Sequence, residues 1–158
     1  MSFYQKKSAD ELKRLRESGK RLSAVLATVA AAVAPGVSTE DLDRIAEREI
    51  RACGGLPIFK GYGAEWGKPF PASLCTSINE EVVHGIPNPK RIIQEGDLVK
   101  LDIGLRFEGM VSDMARTIAV GPVTAEAQHL LDVTRESLDR GIAAIKAGAG
   151  NVMVSYSS

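Results

Sequence analysis

The chain has 158 residues, no formal net charge, and 44% hydrophobic against 25% charged residues. That length and balance suffice for a compact globular domain and exclude an electrostatic case for binding nucleic acid or anionic lipid. The two cysteines, Cys53 and Cys75, form no CxxC pair and no disulfide framework, which fits a reducing compartment.

Ser8-Ala9-Asp10-Glu11 reads as a capping box, with Ser8 accepting from the Glu11 amide and Glu11 reaching back. It predicts a helix to about Ala34, stopped by Pro35-Gly36, whose larger apolar residues Leu12, Leu15, Leu22, Leu26, Val29 and Val33 keep the three-or-four spacing of one helix face. Lys20-Arg21 ahead of the apolar run from Leu22 to Ala34 has the look of a signal peptide. That run starts late, keeps a helical period and is shorter than the ~20 residues a spanning helix needs, so a cytoplasmic protein is expected. Ser38 caps a second helix with acidic residues in its first turn, where the helix dipole favours them. Its buried stripe is Leu42, Ile45, Ala46, Ile50 and Cys53, and Gly54-Gly55 ends it.

Leu56 to Pro71 is rich in Gly, Pro and aromatic residues and reads as a loop. Ser73 to Ile78 and Glu81 to His84 read as short extended pieces, followed by a loop around Pro87 and Pro89. Val99, Leu101, Ile103, Leu105 and Phe107 alternate with Lys100, Asp102, Gly104 and Arg106, the pattern of a half-buried strand. Glu108-Gly109 suits a two-residue hairpin turn, and Met110 to Val120 is the return strand. Thr124 caps a third helix to about Lys146, with Leu131, Thr134, Leu138, Ile142 and Ile145 as its expected buried stripe and Gly148 and Gly150 as its stop. The alanine-rich ends of the first and third helices echo each other, as if the chain restarts one unit at Thr124.

With a two-residue turn, Asp102 lies opposite Ala115 and Gly104 opposite Asp113. Asp102 and Asp113 then share a face as diagonal neighbours, roughly 7–8 Å apart at the backbone, on the side away from the apolar stripe. Like charges so placed repel unless a divalent cation lies between them. Solvated strand aspartates, or partners of Arg106 and Arg116, would give the same pattern, and a three-residue turn would separate the two onto opposite faces. His84 suits a ligand, an acid or base, a substrate contact or a structural histidine. His129 reads as a surface or packing residue, and Tyr62, Phe70 and Cys75 form a soft apolar set that also suits a plain core. There is no P-loop, nucleophile elbow, GxGxxG or HExxH.

The run from Ser73 to Pro87 (SLCTSINEEVVHGIP) resembles the segment that marks type I methionine aminopeptidases. Leu101-Asp102-Ile103-Gly104 and Ser112-Asp113-Met114-Ala115-Arg116-Thr117 are similar to that family's two metal-aspartate strands. So are Lys13 to Gly19, Pro35 to Thr39 and Phe59 to Tyr62, and the likeness runs over roughly residues 8 to 148. It implies an α+β pita-bread fold of the M24 metallopeptidases, represented by its N-terminal half. Residues 1–7 would be a tail, 8–121 the first pita-bread repeat and 122–158 the incomplete start of a second.

The implied activity is removal of the initiator methionine from nascent polypeptides at the ribosome. A hydroxide held by two divalent ions (Co, Mn, Fe or Zn) would attack the first peptide bond. Asp102 would chelate one ion and Asp113 bridge both. His84 would act as a catalytic, non-ligand substrate contact that steadies the developing charge, and Tyr62, Phe70 and Cys75 would line the methionine pocket. Ala64 to Pro69 looks like an insertion beside Tyr62. The resemblance also calls for a histidine and two glutamates, one of them the general base, and nothing after Val120 supplies them in a matching motif. The 158-residue chain alone is therefore expected to be inactive and to expose apolar surface, with a monomer expected at full length and no nucleic-acid or membrane partner. The tail from Asn151 to Ser158 departs from the pattern, since an acidic residue is usual near Met153. The rival readings are an X-Pro aminopeptidase of the same fold, a non-catalytic module that binds peptide N-termini, and a fragment without a function of its own.

Overall fold

A computed structural model describes residues 6–146. They fall into two compact units divided between Gly121 and Pro122. In the first unit, helix α1 (Ala9–Ala31) starts at the Ser8–Glu11 capping box, with the Ser8 amide donating to Glu11 Oε2 at 2.7 Å. Helix α2 (Thr39–Ala52) starts at a second box, in which Ser38 and Asp41 exchange hydrogen bonds. Each box satisfies amides that a helix start leaves without partners.

The sheet is built on a long hairpin, β3 (Leu98–Phe107) and β4 (Met110–Ala119). β2 (Leu74–Ile78) and the two-residue β1 (Leu56–Pro57) pair antiparallel with the other edge of β3. Glu108 and Gly109 both have positive φ, 47° and 78°, as a two-residue hairpin turn of this hand requires. The register follows from it, with Phe107 opposite Met110, Gly104 opposite Asp113 and Asp102 opposite Ala115. Period two sends Val99, Leu101, Ile103 and Leu105 to one face, where they are fully buried against Leu22, Leu26 and Val29 of α1 and Leu42, Ala46 and Ile50 of α2. Each such large apolar side chain contributes about 1.5–3 kcal/mol by leaving water. Asp102, Gly104 and Arg106 are left on the opposite face.

β2 is fastened to α2 by one carboxylate. Asp43 Oδ1 accepts from the Ser73 and Leu74 amides at 2.8 and 2.9 Å. Burial pushes the Asp43 carboxyl up, and those two amide donors oppose the shift. Glu47, one turn further along α2, accepts from Lys60 at 2.7 Å and from the Ser73 hydroxyl at 3.3 Å. The same helix therefore holds both ends of the segment from Lys60 to Ser73.

Three expectations change. The loop from Leu56 to Pro71 contains β1 and a short 3-10 turn, Ala64–Trp66, set between Gly63 and Gly67, both left-handed. Glu81 to His84 is no strand, because Asn79 (φ 54°) and His84 (φ 60°) are left-handed and the Glu81 carboxylate takes the Ile78 amide at 2.8 Å. The chain turns there instead of extending.

The third correction concerns the second unit. Its helix α3 (Ala125–Ala144) is capped by Thr124 as expected, but it has no buried residue. Leu131 is only half-buried, Thr134 is exposed, and Leu138, Ile142 and Ile145 are 64%, 58% and 70% exposed, so the predicted stripe has nothing over it among the described residues. The predicted stop at Gly148 and Gly150, the tail from Asn151 to Ser158 and residues 1–5 lie outside the described residues. No helix among the described residues is long and apolar enough to cross a membrane.

Candidate metal centre

The outward face of the sheet carries the polar chemistry. Asp102 lies on β3, directly opposite Cys75 of β2 on one side and Ala115 of β4 on the other. Asp113 projects from β4 two pairs nearer the turn, opposite Gly104. Burial raises the Asp102 carboxyl above its ordinary range, the Asp113 charge raises it further, and His84 opposes both. The buried Cys75 thiol is pushed up to about 12, first by burial and then by Asp102, Asp113 and Asp43, so it stays protonated. Neither Asp102 nor Asp113 has an arginine or lysine ion partner among the described residues, and Arg106 and Arg116 pair with neither.

His84 reaches this face because the segment after β2 folds back along that strand. The Thr76 amide donates to the Gly85 carbonyl at 2.9 Å, and the Gly85 amide donates to Ser77 Oγ at 3.0 Å. A Cβ on Gly85 would fall on the Thr76 carbonyl oxygen and 2.8 Å from Ser77 Cα, so only glycine lets the two backbones lie this close.

Six residues singled out in the sequence (Tyr62, Phe70, Cys75, His84, Asp102 and Asp113) line one cleft of about 990 Å³ in the first unit. Phe70 is half-buried and Tyr62 is 66% exposed. His129, on α3, is exposed and belongs to the other unit. Sequence reasoning passed over Ile58, Phe59, Trp66 and Lys68 as cleft residues. One signal for the first two was present. Gly104 interrupts a strand between Asp102 and Arg106, and a Cβ there would come within 2.7 Å of Ile58 and 3.0 Å of Phe59. A glycine inside a strand marks such a close approach.

The donor set fits a divalent cation in chemistry and is incomplete in number. Two carboxylates with no neutralising side chain suit a hard or borderline cation, yet no three His, Cys, Asp or Glu side chains converge on one point among the described residues.

An open sheet with helices on one face and an acidic, apolar-walled cleft on the other defines the class. The sequence model of metallopeptidase family M24 matches residues 13–154, and the chain belongs to that family. Membership implies divalent metal ions. The relatives narrow the likeness. The methionine aminopeptidase of Clostridium acetobutylicum is 44% identical over 151 residues, 96% of this chain and 58% of its own. Methionine aminopeptidase B of Synechocystis is 44% identical over 142 residues, 90% of this chain and 52% of its own. The crystal structure of the Thermotoga maritima methionine aminopeptidase superposes with a TM-score of 0.84 at 32% identity, covering 90% of this chain and 55% of that one. The fold is the pita-bread fold, and the chain spans about half the length of the curated relatives it matches.

Proposed function

We propose that this chain supplies one half of a methionine aminopeptidase site, which removes the initiator methionine from nascent polypeptides in the cytoplasm. The observation that carries the reading is the joint placement of Asp102 and Asp113 with Cys75, Phe70 and Tyr62 in one cleft. A substrate with a free α-amino group and a thioether side chain needs such a pair of surfaces. The carboxylates suit the metal ions that would meet the amino end of the substrate, and the soft apolar wall suits the side chain.

Asp102 and Asp113 would hold two divalent ions, of Co, Mn, Fe or Zn. Bound there, the ions supply Lewis-acid polarisation of the scissile carbonyl and an acidified water. The remaining work belongs to the chain's own side chains. His84, carried beside Asp102 by the Gly85 contact, donates to the substrate near the scissile bond without serving as a ligand. Cys75, kept as a neutral thiol, presents sulfur and not charge to the methionine side chain. Ile58 and Phe59, seated over Gly104, keep water from that wall.

Two aspartates hold a transition metal weakly and in no fixed geometry, so the 158-residue chain alone is expected to release no methionine. The test is methionine release from Met-Ala-Ser by this chain and by a longer chain of full relative length, with and without Mn, and with Asp102→Ala. Activity confined to the longer chain, lost in Asp102→Ala, supports the reading. Metal-dependent release by the short chain would overturn its inactivity. Preference for Ala-Pro over Met-Ala would move the site to X-Pro peptides. Chelator-insensitive peptide binding by both chains, without cleavage, would make it a binding module.

A further inference from the structure

The segment Ala64 to Pro69 contributes Trp66, Lys68 and Pro69 to the wall of the cleft. Trp66 and Tyr62 meet edge to face with ring centroids 5.8 Å apart, and Trp66 is 69% exposed. This is not a loose loop tip. Gly61 donates to the Phe70 carbonyl and Phe70 to the Tyr62 carbonyl, both at 2.8 Å, and Trp66 donates to Gly63 at 3.0 Å. Gly63 and Gly67 take the left-handed turns at either end, and a Cβ on Gly63 would stand 3.1 Å from the Lys68 carbonyl oxygen. The two rings are thus held out into solvent at the cleft, where burial gives no reason for a tryptophan. Lys68 and Arg106 line the same cleft, and neither has an ion partner among the described residues. The cleft is thus acidic at Asp102 and Asp113 and aromatic and cationic at Trp66, Lys68 and Arg106, with the exposed Glu65 beside Trp66 outside its lining.

We propose that Trp66 and Lys68 form a subsite for the part of the substrate that follows the methionine, favouring extended peptides with acidic side chains just beyond the scissile bond. The inference rests on the reading of the cleft as a methionine-peptide site. A peptide whose methionine end lies beside Asp102 and Asp113 continues past Trp66 and Lys68 on its way out of the cleft. There a rigid aromatic edge offers contact to an extended backbone at little entropic cost, and the unpaired ammonium of Lys68 attracts carboxylates and repels cations.

Trp66 is the chain's only tryptophan, so its fluorescence reports occupancy of that part of the cleft without any need for turnover. The chain is titrated with Met-Ala-Asp-Glu, Met-Ala-Lys-Lys and the dipeptide Met-Ala, with the same three peptides starting in Ala instead of Met as controls. The acidic peptide is expected to bind about two- to fivefold more tightly than the basic one, the scale of one solvent-exposed ion pair, with the gap closing as salt rises. Lys68→Glu should reverse the order. Trp66→Ala, followed by competition with a labelled peptide, should bring tetrapeptide affinity down to that of the dipeptide. Equal affinities for acidic and basic peptides that still require the leading methionine would overturn the subsite and leave the methionine reading standing. Binding indifferent to the first residue would overturn both.

Discussion

Gly85 shows how one residue without a side chain sets the path of its neighbour His84. Its amide and carbonyl both bond to β2, and its Cα lies where no Cβ fits. Gly85→Ala must push the segment off the strand, taking His84 with it. The expected cost is about 1–3 kcal/mol, as for other overpacked sites, measured by urea unfolding of the purified chain. A change below a few tenths of a kcal/mol would show that the segment is free to move. Glu47 makes a different point at the same scale. Hydrogen bonds from Lys60 and then Arg51 hold its carboxyl down to about 2 from an ordinary 4.5. A depressed carboxyl contributes stability that is fully present above pH 4.5 and lost as pH falls through about 2. Wild type and Glu47→Gln should therefore differ by about 1 kcal/mol near neutrality, a modest value because both cations are solvated. Their unfolding free energies should converge as the pH approaches 2. A difference that stays constant with pH would show that Glu47 acts by shape and not by charge.

Among the elements, the β3–β4 hairpin decides whether a site exists. Its turn has Glu108 at φ 47° and Gly109 at φ 78°, and nothing within 4 Å would meet a Cβ on Gly109. Gly109→Ala should thus cost only the backbone penalty of a left-handed alanine, roughly 1–2 kcal/mol. Glu108→Asn should gain a few tenths of a kcal/mol by supplying the residue such turns favour. Thermal unfolding of the two variants checks both signs. This element was also the most legible in the sequence. Alternation of Val99 to Phe107 gave the strand, two turn residues gave the register, and the register put Asp102 and Asp113 on one face. The path of His84 was not legible, because it depends on left-handed Asn79 and on the bond between the Glu81 carboxylate and the Ile78 amide, neither of which leaves a periodic mark. The face of α3 was legible as apolar, but whether anything covers a stripe is not a property of the helix that carries it.

At the scale of the whole molecule, the core and the cleft share one unit. Every residue of the hydrophobic core cluster lies between Leu22 and Val120, and α3 buries none of its own. A chain ending at Gly121 should unfold in a single transition with the same urea midpoint as the 158-residue chain, while losing the helical circular dichroism of some twenty residues. A midpoint lowered by more than about 0.5 M, at the slopes usual for small proteins, would show that the second unit supports the first. The apolar side chains of α3 should make the longer chain the less soluble of the two, which static light scattering at matched concentration would test.

The sheet has one further consequence, for the exchange of its amide hydrogens with solvent. β3 is paired along both edges, with β4 on one side and with β2 and β1 on the other. β4 pairs with β3 alone among the described residues. Amides along β3 are therefore shielded at every position that has a partner. Those along β4 should alternate, with every second N–H held by β3 and its neighbours open to water. Deuterium uptake resolved by residue should rise and fall with a period of two from Met110 to Ala119. Asp113 stands on that strand, and anything that completed the pairing of its free edge would be recorded as the disappearance of the alternation.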